Sequence, residues 1–148
     1  MTFTVENLSE RQIAKTIDHS LLRPELDDAF VEAGCRLAAE YDVASVCVPP
    51  VHVRRARAIL DGTDVAIGTV VGFPHGYCTT ETKVAETRQA LADGATEIDM
   101  VLQIGALKSG RDADVRADIA EVVLFLLSDQ AAMVNGISLP VDGGYMIA

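Results

Sequence analysis

The 148-residue sequence has no tryptophan, and aromatic side chains make up 5% of it, so a core of full size has to be built largely without rings. Positive charge is also scarce. Twelve Lys and Arg stand against 22 Asp and Glu, a formal net charge of -10. Such a surface repels phosphate backbones and anionic lipid, which excludes nucleic acid and membranes as expected partners. No apolar run approaches the roughly 18 residues of a membrane span. The opening MTFTVENLSERQ has neither the basic head nor the apolar stretch of a signal peptide. A soluble, cytoplasmic chain is expected. Cysteine occurs only at Cys35, Cys47 and Cys78, an odd number with no CxxC, which suits a reducing compartment and argues against a zinc knuckle. Missing too are H-E-x-x-H, G-K-[ST], G-x-S-x-G and a G-x-G-x-x-G opening a helix. Neither a metal nor a cofactor is expected.

What the chain does have is alternation. With 49% hydrophobic and 23% charged residues it is no disordered or low-complexity segment. Ser9 and Gln12 form a capping-box pattern opening a helix over Glu10–Lys15. An apolar stretch follows over Ala14–Leu22 and stops at Arg23-Pro24. Apolar spacing predicts a helix over Asp28–Tyr41, a strand over Ala44–Val48 closed by two prolines, and a short basic helix over Val53–Leu60. Val65–Phe73 is too continuously apolar for a wet face and reads as a parallel strand covered on both sides. Thr80–Asp93 is a helix closed by Gly94. Ile98–Ile104 reads as a strand, Gly105–Gly110 as a loop, Arg111–Leu127 as a long helix and Ile137–Val141 as a last strand. This strand-helix rhythm is that of a parallel sheet. The fold class is α/β, with about five strands in a single domain spanning residues 1–148.

Parallel α/β folds gather functional groups at the carboxyl ends of their strands. Asp18 lies within an apolar stretch, where a carboxylate must be paired or have a shifted pKa; capping a neighbouring backbone is the competing explanation. Asp99, between Ile98 and Met100, poses the same problem, and structural and functional roles stay equally open. Cys47, between two valines, is by type a small buried hydrophobe. The Gly72–Gly76 loop could bring backbone N–H groups close to a ligand, with His75 as an exposed loop residue.

Five stretches carry a resemblance: I-D-H-S-L-L-R-P-E (17–25), A-S-V-C-V-P-P (44–50), V-V-G-F-P-H-G (70–76), T-T-E-T-K-V-A-E (79–86) and E-I-D-M-V-L-Q-I-G-A-L-K-S-G (97–110). In this order they resemble deoxyribose-phosphate aldolase, the DeoC type of class I aldolase, over about residues 14–119. The family fold is a (β/α)8 barrel whose members cleave 2-deoxyribose 5-phosphate to glyceraldehyde 3-phosphate and acetaldehyde. The resemblance implies that Asp99 is the catalytic carboxylate of a proton relay. It places Asp18, Ser20 and Cys47 beside the substrate, with Cys47 as a thiolate open to reactive aldehydes.

The same resemblance defines what is missing. Class I chemistry needs a lysine amine of lowered pKa, which the family draws from its sixth and seventh strands. The chain has only Lys15, Lys83 and Lys108, and none matches that position. The late-strand phosphate site is absent as well. The aldolase-like part, residues 10–119, therefore reads as a (β/α)4 half-barrel, truncated after the fourth βα unit. Residues 118–148, ending in V-D-G-G-Y, resemble the terminal helix and strand of short-chain dehydrogenases/reductases, but no Tyr-x-x-x-Lys pair accompanies them and NAD(P)-dependent oxidoreduction is not expected. The implied product is a fusion: an aldolase half-barrel without the Schiff-base lysine. It could equally flatten into a three-layer doubly wound sheet. Unpaired strand edges point to a homo-oligomer, and a small aldehyde or sugar phosphate is the implied ligand.

Overall fold

The computed structural model describes residues 8–131. Ser9 opens α1 (Glu10–Ala14) with the reciprocal capping box expected: its Oγ accepts from the Gln12 N–H, and Gln12 Oε1 accepts from the Ser9 N–H at 2.8 Å. β1 (Asp18–Ser20) leads to α2 (Asp28–Tyr41), capped by Asp27, whose carboxylate accepts from the Phe30 N–H at 2.8 Å. β2 (Ser45–Val48), a 3-10 turn (Pro50–His52), α3 (Val53–Leu60) and β3 (Ala66–Val71) follow. Thr79 caps α4 (Thr80–Asp93), and Gly94 ends it at φ 105°, a left-handed conformation that glycine adopts without a Cβ clash. β4 (Glu97–Met100), α5 (Ile104–Lys108), α6 (Asp112–Leu126) and a 3-10 turn (Asp129–Ala131) complete the described chain.

The four strands pair in parallel in the order β1-β2-β3-β4. Their registers align Val46 with Ile67, Val48 with Thr69, Thr69 with Ile98 and Val71 with Met100. These side chains share one face, and the main apolar cluster joins Val46, Val48, Ile67, Val71 and Ile98 to Val31, Cys35 and Ala38 of α2, Val53, Ala56 and Leu60 of α3, and Ala90 of α4. Three successive helices thus cover a single face of the sheet. Sequential strand order with right-handed crossovers gives this result, whereas a doubly wound sheet reverses direction and covers both faces. The doubly wound alternative is therefore corrected: the described chain is a half-barrel arc.

Two further expectations change. β3 stops at Val71 instead of Phe73 because Gly72 turns at φ 70°, and Gly76 at φ 67° packs so tightly that a Cβ there would lie 1.8 Å from the Leu102 carbonyl oxygen. β4 ends at Met100, and residues 104–108, expected to form a strand end and a loop, form helix α5. Val101 still bonds through its N–H to Val71 O at 2.9 Å and is buried, so the apolar pattern continues past the strand it belonged to. The expected strand Ile137–Val141, and the dehydrogenase-like tail beyond residue 131, lie outside the described residues.

Candidate functional site

The sheet face opposite the helices is different in kind. Side chains alternate along a strand, so this face carries Asp18 and Ser20, Ser45 and Cys47, Ala66, Gly68 and Val70, then Glu97 and Asp99. The register sets Asp18 beside Ser45, Ser20 beside Cys47, Cys47 beside Gly68, Gly68 beside Glu97 and Val70 beside Asp99. All four residues expected at the site, Asp18, Ser20, Cys47 and Asp99, therefore stand on one surface. Gly68 leaves room among them: a Cβ there would come 3.3 Å from Val46 O and 3.7 Å from Glu97 Oε2. The resulting cleft is about 80 Å³, lined by Asp18, Ser45, Cys47, Gly68, Glu97, Ile98 and Asp99.

Asp18 meets the expectation of a paired carboxylate, but without being buried. Asp18 is exposed, as is Ser20, because β1 is an edge strand among the described residues. Asp18 Oδ1 accepts from the Ser45 hydroxyl at 2.6 Å, so its partner is a side chain on the neighbouring strand and not a capped backbone. Asp99 is half-buried.

Glu97 was not singled out by its residue type, though its position two residues before Asp99 puts it on the same face. Burial and the neighbouring Asp18 raise its pKa above the ordinary carboxylate value, against a hydrogen bond from Ser45. Ser45 has one hydroxyl proton, and both carboxylates reach it. The three side chains thus form one row, Asp18, Ser45 and Glu97, along the cleft.

Cys47 is 4% exposed. Burial, then the negative charges of Asp18, Asp99 and Glu97, pushes its thiol up to about 12. The implied thiolate is accordingly corrected to a neutral, buried thiol, in line with the bland reading of its residue type. His75 is exposed and stacks on Tyr77 with ring centroids 5.0 Å apart, as a loop residue would.

None of the three lysines stands on this face. Lys15 donates to Asp42 at 2.7 Å and Asp64 at 3.1 Å. Burial pulls its pKa down, but the bonds to Asp42 and Asp64 outweigh that and hold it above the ordinary value. Lys108 is exposed on α5. Lys83 is fully buried on the helix side, where its ammonium pairs with Asp118 of α6 and donates to Val101 O at 2.9 Å, while Thr80 donates to the second Asp118 oxygen at 2.9 Å. It is a helix-to-helix clamp. No sequence signal marked this pair, because its members lie 35 residues apart. Among the described residues no group of three or more His, Cys, Asp or Glu side chains is placed to hold a metal ion.

Comparison with known proteins agrees with this geometry. The family model for DeoC/LacD family aldolases matches residues 12–128 and so runs through α6, beyond the boundary near residue 119 expected from the sequence. A deoxyribose-phosphate aldolase of Brevibacillus brevis is 52% identical over 108 residues, 73% of this chain and 49% of the relative. One of Clostridium perfringens is 47% identical over 116 residues, 78% of this chain and 52% of the relative. The chain thus spans about half the length of the curated relatives it matches. Among solved structures, QR15, an aldolase, superposes with a TM-score of 0.76 at 29% identity, over 90% of this chain and 57% of that one. A tetrameric deoxyribose phosphate aldolase from Aeropyrum pernix does so with a TM-score of 0.74 at 25% identity, over 88% and 53%. A four-stranded parallel arc with its helices on one face, and half the length of the proteins it matches, is what one side of such a barrel looks like: the chain belongs to the DeoC/LacD family of aldolases.

Proposed function

We propose that this chain presents the substrate-side wall of a deoxyribose-phosphate aldolase without the covalent tool of that reaction, and that it does not by itself turn over 2-deoxyribose 5-phosphate. One observation carries the reading: the inner face bears Asp18, Ser20, Cys47, Glu97 and Asp99 but no amine, while Lys83 is spent in a buried ion pair. A class I aldolase forms a carbinolamine and then an imine between lysine and aldehyde, so a wall without an amine has no covalent step to offer. Asp99 is the carboxylate suited to proton transfer at the aldehyde's α-carbon, and Asp18 and Ser20 are the groups suited to orient its oxygen. The small cleft beside Asp18 and Asp99 suits a two-carbon aldehyde or the aldehyde end of a longer substrate, so the small-molecule partner is a small aldehyde or the aldehyde end of a sugar phosphate. The setting is a reducing, cytoplasmic one, where three free thiols persist, and the assembly is a homo-oligomer.

Borohydride trapping with acetaldehyde, read by intact mass and peptide mapping, tests the reading. Unmodified lysines are expected under conditions that label a competent class I aldolase. Stoichiometric reductive labelling at Lys108, Lys83 or Lys15 would overturn it.

A further inference from the structure

The helical layer is an open ring. α2 packs on α3, α3 on α4 and α4 on α6, and both ends of the series are apolar. At the α2 end, beside the β1 edge, lies a groove of about 530 Å³. Ile13, Ile17, Leu37 and Tyr41 line it and are 49%, 44%, 47% and 63% exposed.

At the other end, α6 carries apolar side chains on more than the one flank a surface helix needs. Val115, Asp118, Val122 and Phe125 face inward and are buried. Ala117 and Glu121 mark the side turned to α4, where they line a shared crevice with Thr80, Val84 and Arg88. At about 100° per residue, Ile119, Val123 and Leu127 fall together on the flank turned away from α4; the first two are half-buried and Leu127 is 80% exposed.

We propose that two copies of this chain close on each other about a two-fold axis, each contributing its four described strands to an eight-stranded barrel, with the α2 groove of one copy covering the free α6 flank of the other. This rests on the half-barrel reading above. A two-fold axis repeats one α2-to-α6 contact twice, so both open ends of both rings are covered and the described β1 and β4 edges meet. Four and four strands make eight, the number at which a parallel barrel closes with a filled interior. The chain superposes on 57% and 53% of two solved aldolase chains with TM-scores of 0.76 and 0.74, so the remainder of each is an arc of similar length. Charge fits as well. Glu10 lines the groove and Arg116 lies on the same flank of α6 as Ile119 and Val123; neither makes an ion pair among the described residues. Closure joins two carboxylate-lined walls in one lumen but adds no lysine to either.

Sedimentation of the full chain at micromolar concentration is the test, with Leu37→Asp on the groove and Leu127→Asp on α6. The expected result is a dimer that tightens at higher ionic strength, since two chains of net charge -10 repel. Each aspartate variant is expected to weaken it by about 100-fold or more in Kd. Leu37→Ala and Leu127→Ala, which keep the fold free of a new charge, are expected to weaken it in the same direction by about 10-fold. A monomeric wild-type chain would overturn the proposal, as would an open series of higher oligomers. A dimer weakened at Leu37 and indifferent to Leu127 would also overturn it, because that pattern belongs to β1 edges meeting each other. A lysine adduct in the trapping experiment, by contrast, would overturn the functional reading and leave the dimer standing.

Discussion

Asp118→Ala is the most demanding perturbation of this structure. It removes the one carboxylate that, among the described residues, is bonded to a fully buried ammonium, and strips Thr80 of its acceptor, while Lys83 keeps its bond to Val101 O. Removing one member of a buried ion pair costs about 3–5 kcal/mol, because the charge left behind has lost its solvation and its partner. Domains of this size are stable by only about 5–15 kcal/mol. With a urea m-value of about 2 kcal/mol/M, the expected change is a fall of about 2 M in the unfolding midpoint at an unchanged m. The control removes both charges: Lys83→Met with Asp118→Leu leaves no buried charge, only the Thr80 hydroxyl and Val101 O without these partners, and is expected to lie within about 1–2 kcal/mol of wild type or above it. Denaturant titration by circular dichroism reads both. A loss under about 1 kcal/mol for Asp118→Ala would refute the clamp, as would a double variant as damaged as the single one.

Two other outcomes are expected. Iodoacetamide at mildly alkaline pH, followed by peptide mapping, should alkylate half-exposed Cys78 well before Cys47, whose thiol is buried and raised to about 12; comparable rates would show that Cys47 is an accessible thiolate after all. Glu97 has a folded pKa above its unfolded one, so between the two the native state holds the extra proton, and its contribution to stability falls as pH rises through that window. Glu97→Gln should therefore leave stability little changed below the ordinary glutamate pKa and raise it at neutral pH, and a variant less stable than wild type at neutral pH would mean that the carboxylate form has a strong partner.

The helices were the most legible part of the sequence. α2, α3 and α4 span Asp28–Tyr41, Val53–Leu60 and Thr80–Asp93, as their apolar spacing and stop residues predict. Strand ends were less so. Ile98–Ile104 is mostly apolar, yet Val101 is buried in the connection after β4 and Ile104 opens α5, and an apolar side chain looks the same on either element. At the site, Asp18, Cys47 and Asp99 stand out from their strand context, the family resemblance adds Ser20 and the roles, and the pleat adds Ser45 and Glu97. Asp18 is wetter than its apolar neighbours suggest, and Cys47 is dry as its residue type predicts, against the thiolate that the resemblance implies. Whether a strand residue is wet or dry depends on its place in the sheet, and β1 is an edge while β2 is flanked on both sides.

By itself, then, the sequence determined the α/β rhythm, the acidic surface, the family motifs and the absence of a lysine where the chemistry needs one. These are properties of residue order and kind, readable over a few turns of chain. Tertiary structure alone decided that three helices share one face of the sheet, that four strands in order make an arc, and that Lys83 belongs to Asp118 instead of to a substrate. Those facts follow from burial and from contacts across dozens of residues, where the free energy of a charge is set by which neighbours the fold brings to it.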